Sequence, residues 1–152
     1  MKDAVTDLPS KERLRFWLRL LKTSRGIEAT LRERLRDEFA STLPRFDVMA
    51  ALSRYEDGLK MSALSGVLRV SNGNVTGIVD RLVEDDLVVR VPVPGDRRAA
   101  RVRMTKRGHA EFKRQAARHE AWVDEMLAGV TPDEARTIGA LFDRLDLDPS
   151  KD

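Results

Sequence analysis

The chain has 152 residues, of which 41% are hydrophobic and 35% charged, with a formal net charge of +3 and a sequence pI near 9.5. That length fits one domain, or one protomer of a dimer, and the basic balance suits a polyanionic partner. The absence of cysteine excludes disulfides, thiolate metal sites and cysteine-based peroxide sensing.

Met1-Lys2-Asp3 opens without an apolar signal region, and no apolar run approaches the ~20 residues of a membrane span. A cytoplasmic protein with no membrane partner is expected. Residues 1–9 lack a periodic apolar face and are expected to be loose. Ser10 is placed to cap a long helix reaching about Glu38, with Leu14, Trp17, Leu18, Leu21, Ile27, Leu31 and Leu35 as its apolar members. Such a helix would be ~40 Å long, more than a compact domain of this size needs, and so reads as a dimer arm. The alternative is a kinked pair broken at Ser24-Arg25-Gly26. Thr42 should cap the next helix, with Pro44 in its first turn. Phe46, Val48, Met49, Leu52 and Tyr55 supply its apolar residues, and Glu56-Asp57-Gly58 should end it. Leu59-Lys60-Met61 is a candidate short strand.

The centre of the chain is a helix-turn-helix pattern. Met61, Leu64, Val67 and Leu68 form one helical face, with Ser62 as its candidate cap. The turn Arg69-Val70-Ser71 follows, and Ser71 is the next candidate cap. The second helix sets Val75, Ile78, Val79, Leu82 and Val83 inward at helical spacing. Its other face carries Asn72, Gly73, Asn74, Thr76, Gly77, Asp80 and Arg81. Asn can read adenine, Arg can read guanine, and a Thr methyl can touch a thymine methyl. Gly73 and Gly77 each cost about 1 kcal/mol relative to Ala inside a helix. Their placement suggests close backbone approach, to DNA or to another helix, and this segment alone leaves both open.

A basic hairpin follows. Leu87 to Val91 and Ala100 to Met104 alternate as strands around Pro92, Pro94, Gly95 and Asp96, and the connecting loop is expected to be rather long. Residues 60–107 hold ten Lys or Arg against five Asp or Glu, so the positive charge concentrates where the motif sits. Thr105 should cap a further helix ending near Gly129. Its apolar members are Ala110, Phe112, Ala116, Trp122, Val123, Met126 and Leu127, with a largely polar middle from Lys113 to Glu120. Thr131-Pro132-Asp133-Glu134 is a capping box. The last helix is expected to bury Ala135, Ile138, Leu141, Phe142 and Leu145 and to pack with the first helix across a two-fold axis.

The run Leu64…Leu68…Val70-Ser71…Val75-Thr76…Val79-Asp80-Arg81-Leu82 resembles the MarR family of bacterial transcription regulators, as do the exit Leu87-Val88…Arg90 and the wing Asp96-Arg97-Arg98…Val102…Met104-Thr105…Gly108. Upstream, Leu43-Pro44…Phe46…Val48…Leu52 fits the family's second helix. The resemblance covers nearly the whole chain. It implies a mainly α fold with a small β wing: one domain over 1–152, with a winged helix-turn-helix at 43–104 and dimerisation helices at 10–40 and 105–147. It also implies a homodimer that binds double-stranded DNA at a pseudo-palindromic operator, usually as a repressor. By that similarity Ser71, Asn72, Gly73, Asn74, Thr76, Gly77 and Arg81 belong to the recognition helix. Asp96, Arg97, Arg98 and Arg101 belong to the wing, where Asp96 holds Arg98 for the minor groove. Relatives often bind small aromatic or phenolic acids, for which Arg13, Phe16, Trp17 and Arg54 are the candidate cleft. Two positions depart from the family pattern. Arg69 stands where many members have glycine, and Asp86 replaces the glycine before the Leu-Val exit, although Asp tolerates the left-handed region. Asp85 and Asp86 also sit at the negative end of a helix dipole.

His109 and His119 do not share a helical face, and no third strong ligand accompanies them, so no metal site or cofactor is expected. Asp85-Asp86 lacks a partner base, and no phosphate loop or nucleophile motif occurs, so an enzyme is not expected. The competing readings are a non-specific architectural DNA-binding protein and a protein-interaction module. The base-reading amides at Asn72 and Asn74 weigh against the first. The clustered charge weighs against the second.

Overall fold

The computed structural model describes residues 8–68 and 72–148, apart from the side chains at positions 72, 73 and 97. The elements run α1 (Pro9–Phe39), α2 (Leu43–Leu52), β1 (Leu59–Lys60), α3 (Met61–Leu68), α4 (Asn72–Glu84), β2 (Val88–Val93), β3 (Asp96–Met104), α5 (Lys106–Met126) and α6 (Pro132–Asp143). The fold is mostly helical, with one antiparallel sheet in the order β1-β3-β2.

The first helix is continuous through Ser24-Arg25-Gly26. It begins one residue before the expected cap. Pro9 takes the first helical position, where its missing N–H costs nothing, and Leu8 stands outside without a side-chain cap, so Ser10 is not the cap. Thr42 caps α2 as expected, its hydroxyl accepting the Arg45 N–H at 3.3 Å. That helix stops at Leu52 rather than at Glu56-Asp57-Gly58. Turn hydrogen bonds from Tyr55 N–H to Leu52 and from Gly58 N–H to Tyr55 curl the chain, leaving the Tyr55 side chain exposed. Gly58 has φ +84°, and a Cβ there would lie 2.3 Å from the Val102 carbonyl oxygen. Only glycine allows β1 to reach β3 at this point.

Lys60 still pairs with Arg101 in the sheet, so the chain enters α3 directly at Met61. Ser62 therefore lies inside that helix and is not its N-cap. The turn Arg69-Val70-Ser71, with the proposed Ser71 cap, lies outside the described residues. The hairpin loop is shorter than expected. Gly95, at φ +82°, turns the chain within Pro94-Gly95, and β2 extends through Pro92 to Val93. Partners step from Pro92↔Ala100 to Val93↔Asp96, so the extra residues form an irregularity in β3 instead of a long loop.

Two hydrophobic clusters organise the chain. Val48, Met49, Ala51 and Leu52 of α2 pack with Leu64, Val75, Val79, Leu82, Leu87, Val88, Val102 and Met104. Leu31, Leu35, Leu43, Phe46 and Trp122 form the other cluster. Val67 and Val83, expected inside, are exposed, as are Ala110 and Leu127. Helix α6 has the expected capping box but buries nothing within the protomer. Ile138, Leu141, Phe142 and Leu145 stay exposed, because no other element among the described residues covers that stripe. No helix among the described residues is long and apolar enough to cross a membrane.

Candidate nucleic-acid interface

Helix α4 buries Val75, Val79 and Leu82 against the sheet-side cluster, with Ile78 partly covered. Helical periodicity then turns Asn74, Thr76, Gly77, Asp80 and Arg81 outward, and all five are exposed. Among the described residues, nothing outside its own helix backbone lies within 4 Å of where a Gly77 Cβ would stand. A tight helix-helix contact therefore does not account for this glycine, and the open face remains. The side chains of Asn72 and Gly73 lie outside the described residues, as does Ser71.

The wing meets this helix at its base. Lys60, Met61, Ser62, Thr76, Asp96, Arg98, Ala99 and Ala100 line a cleft of about 340 Å³. Thr76 of α4 and Arg98 of β3 thus border the same space. The Asp96 carboxylate accepts the backbone N–H of Arg98 at 3.0 Å. It holds Arg98 through the main chain and leaves the exposed guanidinium without an ion pair among the described residues. Arg101 is half-buried and donates to the Gly58 carbonyl at 3.3 Å, so it ties β3 to the β1 end. The Arg97 side chain is outside the described residues.

The acids near this surface are largely engaged. Asp80 pairs with Arg90 of β2, and Asp85 pairs with Arg45 of α2. Engaged carboxylates repel a phosphate backbone less than free ones, so the local excess of positive charge is preserved.

The exit of α4 is held by a second set of bonds. Asp86 adopts φ 59°, the left-handed conformation expected where the family has glycine. Its N–H donates to the Val83 carbonyl at 3.0 Å, and the Leu87 N–H donates to the Leu82 carbonyl at 2.9 Å. That is a Schellman closure, with Leu82 and Leu87 both buried beside it. The Thr105 hydroxyl donates to the Asp86 carbonyl at 2.7 Å and accepts the Gly108 N–H at 3.0 Å. The start of α5 is thereby fastened to the end of α4. The sequence marks Thr105 as a cap and Gly108 as part of the helix start, and this contact is the reason for both.

Arg13, Phe16 and Trp17 lie exposed on the first turns of α1, and Arg54 is exposed beyond α2. The clefts described for one protomer are lined by other residues. The cleft of about 570 Å³ beside α2 is bordered by Phe39, Arg45, Met49, Asp85, Arg107 and Gln115, among others. Gln115 is buried although it lies in the polar middle of α5, and apolar periodicity gave no sign of it. His119 stacks on Phe46 with ring centroids 4.5 Å apart, and burial lowers its pKa.

A profile described as the MarR family matches residues 42–99. A MarR family transcriptional regulator from Silicibacter pomeroyi is 34% identical, with 88% of this chain and 91% of that chain covered, at a TM-score of 0.73. The chain belongs to the MarR family. Its relatives are transcriptional regulators, and the family is not enzymatic. The HTH-type transcriptional regulator PecS from Dickeya dadantii is 27% identical over 103 residues, covering 66% of this chain and 62% of PecS. A MarR mutant from E. coli, complexed with operator DNA, shares the fold at TM-score 0.73 and 24% identity, with 93% of this chain and 97% of that one covered.

Proposed function

We propose that this protein is a sequence-specific DNA-binding transcriptional regulator, acting as a homodimeric repressor of a pseudo-palindromic operator. The observation that carries the reading is the shared cleft between Thr76 of α4 and Arg98 of the wing. One side of the protomer offers a helix face of hydrogen-bonding side chains and, beside it, a basic hairpin. A helix of this kind suits a major groove, and an arginine on an adjacent hairpin suits a narrow minor groove. The operator complex of the similarly folded E. coli protein supports the same assignment.

A second copy of the chain fits the apolar surface left open by one protomer. Leu14, Phe16, Trp17 and Leu18 of α1 are each about half exposed, and Ile138, Leu141, Phe142 and Leu145 of α6 add a second stripe. Phe16 and Phe142 lie 6.5 Å apart, so the two stripes are contiguous. A contiguous apolar patch of this kind marks an interface. Two recognition helices related by a two-fold axis would then face major grooves about 34–36 Å apart. The proposed effector is a small aromatic or phenolic acid, with Arg13, Phe16, Trp17 and Arg54 as the candidate cleft that a partner's helices would close, and such a ligand would release DNA by favouring another dimer geometry.

Fluorescence anisotropy on duplexes tiling the upstream region of the gene, with scrambled competitor at two salt concentrations, tests the function. One tile should bind tightly, survive competitor and weaken with salt. Equal binding to every tile would favour an architectural protein. Sedimentation should give a dimer; a monomer that still discriminates the tile would remove the dimer from the reading.

A further inference from the structure

Helix α2 is the only element among the described residues that gives buried side chains to both hydrophobic clusters. Leu43 and Phe46 join Leu31, Leu35 and Trp122 on the side of α1 and α5. One turn later, Val48, Met49, Ala51 and Leu52 join the cluster under α4 and the sheet. A shift of the long helices can therefore reach the recognition helix through α2, beside the direct tie that Thr105 makes from the start of α5 to Asp86.

Arg45 lies in the first turn of α2, between Leu43 and Phe46, and among the described residues it makes the side-chain bond that ties α2 to the end of α4. Its guanidinium pairs with Asp85, which closes the last turn of α4 and lies 40 residues away in sequence. The Arg45 side chain is only 18% exposed, and its Nε has no hydrogen-bond partner. A largely buried cation with an unmet donor is costly unless its partner holds it firmly. Asp85 is likewise a poor choice for its own helix, because a carboxylate opposes the dipole at a helix C-terminus. Neither residue serves its own helix, and each serves the other.

We infer that Arg45 is a positioning residue for operator recognition: through Asp85 it sets the angle at which α4 leaves the body of the protein, and hence the distance between the two recognition helices. The inference rests on the dimeric, operator-binding reading above. The leverage is sufficient. Helix α4 has 13 residues and is ~20 Å long. A tilt of about 10° at its Asp85 end moves the other end by about 3 Å, close to one nucleotide step along a strand.

The test uses the full chain and the operator found by tiling, in its native form and with one base pair inserted or deleted between the half-sites. Wild type should prefer the native spacing by about tenfold or more. Arg45→Ala should cut that preference to about threefold or less while the dimer stays folded by circular dichroism and sedimentation. The reversed pair Arg45→Asp with Asp85→Arg should restore part of it. If Arg45→Ala does not fold, Asp85→Asn answers the same question with the arginine in place. A uniform loss of affinity at all three spacings would mark a purely structural pair and overturn the inference. An unchanged spacing preference would overturn it too. A wild type indifferent to spacing but selective for the operator sequence would also overturn it. A wild type that does not discriminate operator from scrambled DNA would instead overturn the functional reading on which it rests.

Discussion

Gly108 and Leu87 meet backbone to backbone: a methyl group built on the Gly108 α-carbon would stand 1.9 Å from the Leu87 carbonyl oxygen. That oxygen already accepts the Thr105 N–H at 3.1 Å, so it is fixed from two sides. Gly108→Ala should cost about 2–3 kcal/mol, since the obstacle is backbone and cannot rotate away. Urea unfolding would measure the loss, and a change under about 0.5 kcal/mol would refute the contact.

Gly77→Ala should have the opposite sign. Gly77 also lies inside a helix, but the space beside it is open. Alanine there should stabilise the fold by about 0.5–1 kcal/mol, through its helix propensity and a less flexible unfolded chain. On the proposed interface the added methyl should weaken operator binding. A stabilised variant with undiminished operator affinity would remove Gly77 from the DNA face.

Arg98→Ala should weaken operator binding by about 1–3 kcal/mol and leave the fold intact. The guanidinium is exposed, and the Asp96 bond that shapes the turn goes to the Arg98 backbone N–H, which alanine retains. Anisotropy and thermal melting together separate the two effects.

Ala40→Gly should stabilise the protein. Ala40 adopts φ 49° at the end of α1, where a Cβ crowds the backbone by about 1–2 kcal/mol. Glycine relieves that strain and gives part of the gain back as unfolded-chain entropy, for a net of about 0.5–1 kcal/mol. A lowered urea midpoint would contradict this.

His119 should make stability fall on mild acidification. Burial lowers its folded pKa below the usual histidine value of about 6.5, so the folded state disfavours the charged ring. Well above that value both states hold a neutral imidazole and no penalty arises. As pH falls through the unfolded pKa the unfolded chain takes up the proton first, and stability declines until the folded pKa is passed. The window lies above that of Glu111 and Glu134, whose lowered pKa values move their own losses to pH below 4.5. His119→Gln should flatten the slope between about pH 7 and 5.5, and a slope unchanged by the substitution would clear His119.

Much of this organisation was legible in the sequence because it follows from periodicity. The inward positions Val75, Ile78, Val79 and Leu82 of α4, the Thr42 and Thr105 caps, the capping box at Thr131 and the left-handed Asp86 all obey local rules. The failures have different causes. Ser10 and Ser62 are good cap residues, but Pro9 and the strand pairing of Lys60 fixed the helix starts first. The stripe of α6 is plainly apolar, yet the described residues of one protomer leave it exposed. The roles of Arg45 and Gln115 depend on partners distant in sequence, which no spacing rule reveals.

The hairpin tip stands apart from all of this. Gly95 has nothing around it, and the sheet's buried residues, Val88, Val102 and Met104, lie at the far end of β2 and β3. Residues from 92 to 99 can therefore change, lengthen or shorten at little cost to folding. Evolution could retune which sequences the protein prefers by editing that tip, without renegotiating the interior that keeps it folded.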